Sequence, residues 1–225
     1  MKLRRKIVFC TLVIFIISIQ AMFADEAIDA VKAVSKNDIN ALQKLLDGGL
    51  DPNLAGVENY QASLLNSACN NNSIEMVKLL LANGADVNLK GHGDYTPLMW
   101  AAESAKTTEI MELLIEKGAD VHPVAQDGVN ALIKAIFGAV SDKGSINAIK
   151  LLINKGLDVN YQMSNGYSVL MIAARWGKIE VVNYLISVDA DVNAKAIEGD
   201  TPLSIAVEEE YTEIIKLLKE TGAKE

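Results

Sequence analysis

The chain has 225 residues, 50% of them hydrophobic and 22% charged, and this composition excludes a disordered or collagen-like polypeptide. The basic residues Lys2, Arg4, Arg5 and Lys6 stand before position 25, and the other 17 lysines and arginines accompany 29 acidic residues, so residues 25–225 carry a net charge of −12. A body of that charge excludes nucleic-acid binding through phosphate neutralisation, which needs clustered Lys and Arg.

The N-terminal segment, 1–24, has the pattern of a secretory signal peptide. A basic stretch at 1–6 is followed by an apolar run at 7–19 and by the small residue Ala24. We predict cleavage after Ala24, with Ala21 as the second choice, and export to a periplasm or secretion. The alternative is an uncleaved anchor, because residues 7–24 are near the lower length limit for a membrane span.

The cysteines restrict the chemistry of the body. Cys10 lies in the apolar run, which leaves Cys69 alone in residues 25–225. The body therefore has no intramolecular disulfide and no cysteine-based zinc site.

Residues 25–225 are an internal repeat. Five segments begin with a polar residue, carry a leucine two residues later and an alanine three residues after that leucine. The starts of the segments are 33, 34, 38 and 33 residues apart. The segments begin at Ser63, Thr96, Asn130, Ser168 and Thr201. With a first unit at 25–54, the chain divides into six units, and the other five span 55–89, 90–123, 124–161, 162–194 and 195–225.

The residue pattern predicts two helices in each unit. The five polar starts belong to the residue types that cap a helix N-terminus, and Pro97 and Pro202 follow at the first helical position. Apolar residues at steps of three and four predict a second helix, as in 74–81 and 179–186. A glycine, or Asp189 in the fifth unit, then ends this helix in the left-handed conformation.

Two units are irregular. The stretch from cap to glycine is longer in the fourth unit, from Asn130 to Gly156, than in the second unit, from Ser63 to Gly84, and the added residues lie around 138–145. We predict a longer first helix followed by a polar loop. Residues 55–62 predict a longer first finger that carries Tyr60.

These units resemble ankyrin repeats over residues 25–225. Residues 96–102 read Thr-Pro-Leu-Met-Trp-Ala-Ala, which is similar to the family signature Thr-Pro-Leu-His-x-Ala-Ala, and residues 74–88 are similar to its second-helix consensus. The resemblance implies an all-α solenoid of stacked helix-turn-helix units with β-hairpin fingers. We align the signature histidine, which supports the loop in the family, with Asn66, Met99, Lys134, Met171 and Ser204.

The sequence does not indicate an enzyme. His92 and His122 lie in successive turns with no third ligand at a suitable spacing, so no metal and no cofactor is expected. Cys69 is interpreted as a packed thiol, since it stands at a small-residue position of a first helix.

The resemblance implies binding of another protein by fingers and by the first-helix face. Transferred position by position, it places Tyr60, His92, Tyr95, Gln126, Tyr167 and Glu198 on fingers, and Met99, Glu103, Met171, Arg175 and Trp176 on the first-helix face. Tyr and Trp are frequent interface hot spots. We therefore expect Tyr95, Tyr167 and Trp176 to be exposed in one aromatic strip, and Trp100 to be packed between units.

The predicted function is that of an exported, monomeric scaffold that binds a protein, and the acidic body favours a basic partner. Membrane association is expected only through the N-terminal segment, if it is not cleaved. Two alternatives remain: a periplasmic protein that binds a small molecule or metal ion, and a secreted effector that binds host proteins.

Overall fold

A computed structural model of the chain describes residues 25–54 and 62–224. The predicted signal peptide and Tyr60 lie outside the described residues. Within the described ranges, no helix combines the length and the apolar character that crossing a membrane requires.

The described residues form twelve α-helices that alternate between first and second helices of the units. The first helices are α1 (25–35), α3 (Leu64–Asn70), α5 (Pro97–Ser104), α7 (Ala131–Val140), α9 (Val169–Arg175) and α11 (Pro202–Glu208). The second helices are α2 (Ile39–Asp47), α4 (Ile74–Ala82), α6 (Glu109–Glu116), α8 (Ile146–Asn154), α10 (Ile179–Ser187) and α12 (Thr212–Glu220). From α3 to α11 each first helix packs against the next, and the array is an all-α solenoid.

The five predicted N-caps are confirmed. The side chain of each accepts a hydrogen bond from the backbone N–H three residues later, and Pro97 and Pro202 occupy the first turn. Each cap fixes where a first helix begins and so fixes which residues of that helix face the neighbouring units.

The cap geometry corrects one alignment. The N–H of Ile133 donates to the Asn130 side chain at 2.9 Å, so Ile133 and not Lys134 stands where the family has its histidine. Lys134 lies one residue further, at the position that Trp100 takes in the third unit. In the second unit Asn66 provides loop support, since its Nδ2 donates to the carbonyl of Tyr95 at 3.3 Å.

The extra residues of the fourth unit lie where the sequence predicts them. Helix α7 has 10 residues, whereas α3 has 7 and α5 has 8. The loop at 141–145 then turns back on the helix, because the N–H groups of Lys143 and Gly144 both donate to the carbonyl of Gly138.

One leucine of each helix type recurs in the core. The first-helix leucines are at most 2% exposed: Leu65, Leu98, Leu132, Leu170 and Leu203. The second-helix leucines Leu80, Leu114, Leu152, Leu185 and Leu218 are fully buried. No unit covers its own apolar face, so burial of these side chains depends on stacking.

The predicted β-hairpin fingers are mostly turns. In the described part of the chain, β pairing is limited to two isolated bridges, Val124 with Asn130 and Gln162 with Ser168. In the third unit, the finger contains a short 3₁₀ helix, His92–Asp94.

Asparagines connect successive units on the side of the second helices. Asn88 donates through Nδ2 to the carbonyl of Gly118 at 3.0 Å, and its Oδ1 accepts from the N–H of Asp120 at 2.9 Å. Asn53, Asn160 and Asn193 make the same pair of bonds to the units that follow them. In the third unit the corresponding residue is His122, whose Nδ1 instead lies 3.2 Å from the carboxylate of Asp120 in its own turn.

Replacing His122 with asparagine should therefore stabilise the protein. The substitution supplies the missing bonds to the carbonyl of Gly156 and the N–H of Asp158, and we expect a gain of about 1 kcal/mol in the free energy of unfolding in urea. His92→Asn, at a position outside this set of bonds, is the control and should change the free energy of unfolding little. A loss of stability in His122→Asn would show that the contact with Asp120 matters more than the bonds between units.

Candidate protein-interaction surface

Two tyrosines connect neighbouring fingers. Tyr95 and Tyr167 each precede the cap of a first helix, and each hydroxyl donates to an aspartate of the next unit. Tyr167 bonds Asp200 at 2.7 Å, and Tyr95 bonds Asp127. These tyrosines are half-buried and contribute to the stacking of units.

The expected aromatic strip is not present. Tyr95 and Tyr167 are less exposed than we expect from the sequence, and the fourth unit has Val129 at the corresponding position, where it is 3% exposed. The two tyrosines are thus separated by a buried aliphatic side chain.

The environment raises the pKa of both phenols. For Tyr167, the hydrogen bond to Asp200 and then burial raise the pKa above its ordinary value. For Tyr95, burial is the larger cause and the bond to Asp127 adds to it, so its pKa is also raised. A tyrosine is already protonated at neutral pH, and the raised pKa keeps both hydroxyls as donors to their carboxylate partners to higher pH.

Lys134 forms a cluster with three side chains of the third unit. Its ammonium group lies 4.5 Å from the ring centroid of Tyr95 and 4.6 Å from that of Trp100, and it donates to Glu103 at 2.7 Å. A cation held between rings in this way contributes about 0.5–2 kcal/mol per contact. Trp100 is half-buried between units, in agreement with the prediction. Glu103, which we expect on the first-helix face, forms a salt bridge with Lys134.

Arg175 forms a similar but more exposed cluster in the fifth and sixth units. Its guanidinium carbon lies 5.5 Å from the ring centroid of Tyr167, and it donates to the Tyr167 hydroxyl at 3.1 Å. The carboxylate of Glu208 is 3.8 Å away. Because Arg175 is exposed, it remains accessible to a bound protein.

Trp176 is the large aromatic side chain that this surface presents to solvent. It is 54% exposed and follows helix α9 directly, at the C-cap position. The other described C-caps of first helices are small or polar: Asn71, Ala105, Ser141 and Glu209. Met99 and Met171, which we expect on the first-helix face, are instead buried at 1% and 0% exposure, because the third position of each helix points between units.

The finger residues Gln126 and Glu198 are exposed, and so is His92. Neighbouring fingers are joined through the backbone, since the N–H of Gln126 donates to the carbonyl of Gly93 at 3.0 Å. Ile197 is 76% exposed beside Glu198, and it is not among the residues predicted from the sequence. A β-branched residue in a glycine-bounded turn is the signal that could have identified it.

The described residues contain no group of three or more His, Cys, Asp or Glu side chains that could hold a metal ion. Cys69 is buried, and burial raises the pKa of its thiol, so the side chain stays neutral and packed.

Comparison with known proteins agrees with this architecture. The family model described as ankyrin repeats (3 copies) matches residues 30–125, 98–196 and 136–225. The chain therefore belongs to the ankyrin-repeat family.

Two relatives match only in part. The chain is 30% identical over 109 residues to the B-cell lymphoma 3 protein homolog of Mus musculus, which covers 48% of this chain and 23% of that protein. It is 29% identical over 132 residues to ankyrin repeat protein L91 of Acanthamoeba polyphaga mimivirus, covering 53% of this chain and 20% of the relative. The match thus spans about a fifth of each relative, and repeats of this family generally mediate protein–protein interaction.

Proposed function

We propose that the protein is an exported, non-enzymatic ankyrin-repeat scaffold that binds another protein through its fingers and first-helix face. The observation that carries this proposal is Trp176, a large aromatic residue that is 54% exposed at the end of a first helix. Arg175, next to Trp176 in sequence, and Gln126 and Glu198 on the fingers add exposed polar groups. Exposed Trp and Arg at the edge of a rigid array are typical of interface hot spots.

We expect Trp176→Ala to weaken binding by about 2 kcal/mol or more, roughly 30-fold in affinity, with the melting temperature nearly unchanged. The immobilised protein would first be used to capture its partner from the exported fraction, and the affinity of that partner would then be measured. Lys150→Ala, an exposed change on helix α8, is the matched control and should retain binding. Tyr167→Ala is a poorer probe, because the loss of its bond to Asp200 should also lower stability.

If Lys150→Ala abolished capture while Trp176→Ala retained it, the proposed face would be the wrong one.

The net charge of −12 over residues 25–225 supports a basic partner. Association with such a partner should be faster at low salt than at high salt, because screening shortens the range of attraction.

Export is proposed from the sequence of the N-terminal segment, 1–24. N-terminal sequencing of the mature protein should give Asp25 or a nearby residue as the first. Recovery of the intact chain, beginning at Met1, in a membrane fraction would show that the segment is an uncleaved anchor.

A further inference from the structure

A groove crosses the turns that join first to second helices in the last three units. One cavity of about 510 Å³ lies between the turns of the fourth and fifth units, and a second of about 250 Å³ lies between those of the fifth and sixth. Gly177 and Ile179 line both cavities, so the two lie side by side. This groove lies at the end of helix α9, on a different edge from the fingers.

Apolar side chains form part of a mixed polar and apolar lining. Ile146, Ile179 and Val181 line the first cavity, and Ile179 and Ile214 line the second. Tyr211 also lines the second cavity, and its ring lies so close to Gly177 that a Cβ at that position would be 2.7 Å from ring atoms. Trp176 is adjacent in sequence to Gly177, which lines both cavities, and is 54% exposed.

The charges of the groove have one dominant sign. Four carboxylates line it, and they belong to Asp142, Glu180, Glu210 and Glu213. The lining contains one lysine, Lys178, and its ammonium group is 2.7 Å from the carboxylate of Asp142. The remaining three glutamates leave the groove with a negative charge beside the ring of Tyr211, a combination that favours lysine and arginine side chains.

We propose that this groove binds a basic, extended segment of a partner protein. The proposal rests on the proposed function, of which it specifies the partner chemistry. Helices of neighbouring units are about 8–10 Å apart, so a ligand that crosses three turns spans about 20 Å. An extended segment rises about 3.3 Å per residue, so about six residues occupy the groove. Alternate side chains of the segment then face the isoleucines and the glutamates of the lining.

The probe is an acetylated hexapeptide of alternating lysine and leucine, titrated into the full protein while tryptophan emission is followed. We expect the emission of Trp176 to change on binding, because this residue is exposed and adjacent in sequence to Gly177. Trp100 is held in the Lys134 cluster, so its emission should stay constant. The affinity should fall as salt is raised. The same peptide with glutamate in place of lysine should not bind.

Paired substitutions locate the site. Glu210→Gln with Glu213→Gln should weaken peptide binding at least five-fold. Glu75→Gln with Glu116→Gln removes the same charge from positions on helices α4 and α6, and it should leave the affinity nearly unchanged. Thermal unfolding of both double variants checks that each is folded. Equal weakening by the two pairs, or binding without any change in emission, would show attraction to the net charge alone and would overturn the proposal.

The two proposals fail separately. If the lysine peptide does not bind but Trp176→Ala still prevents capture of the partner, the groove proposal is overturned and the proposed function stands. If the peptide binds in the groove while Trp176→Ala leaves capture of the partner unchanged, the groove proposal is supported and the proposed binding face is wrong.

Discussion

Replacing Leu98 with alanine should destabilise the array by about 2–5 kcal/mol, measured as the free energy of unfolding in urea. Leu98 is 1% exposed on helix α5, and the next first helix packs closely on that helix. Deleting its side chain leaves a cavity between two units that the caps hold in place, so the neighbouring chains cannot easily collapse into it.

Val207→Ala is the matched control, since it removes a branched aliphatic group from a first helix at a position that is 51% exposed. It should cost much less than the core substitution. Should Leu98→Ala prove as mild as Val207→Ala, the assignment of Leu98 to the stack between units would be wrong.

Replacing Gly138 with alanine should destabilise the protein by about 1–3 kcal/mol, although alanine is the better helix former. An ideal Cβ at this position would lie 2.1 Å from the carbonyl oxygen of Glu103, so helices α5 and α7 must separate to accept it. Because Glu103 also binds Lys134, the same displacement should loosen that cluster.

The sign of the effect makes the test decisive. Helix propensity alone would make Gly138→Ala stabilising by about 1 kcal/mol. Ala139→Gly, at the next position of helix α7, reports propensity without the close approach and should destabilise by about that amount. A more stable Gly138→Ala variant would contradict the close packing of the two helices.

The fold was predictable because its signals are local. A cap such as Thr96 needs only its own side chain and a backbone N–H three residues away, and the leucine spacing follows from helix geometry. The greater length of helix α7 follows in the same way from the added residues of the fourth unit.

The surface was less predictable because it depends on contacts between units. The partner of Tyr167 is Asp200, 33 residues later, and the partner of Lys134 is Glu103, 31 residues earlier. Our alignment from the sequence was shifted by one residue in the fourth unit and placed Lys134 where the family has its histidine. The contact of Lys134 with Trp100 was therefore not predicted. Exposure of Trp176 was predicted correctly, since a residue that ends a helix has fewer neighbours.

The bonds between fingers have a consequence for the thermodynamics of recognition. Tyr95 and Tyr167 are tied to the aspartates of the following units, and the backbone of Gln126 is bonded to Gly93. These groups are ordered before any partner arrives, whereas ordering a mobile side chain on association costs about 0.5–1.5 kcal/mol. A partner would therefore meet a preorganised edge, and most of the entropy lost on complex formation would be its own.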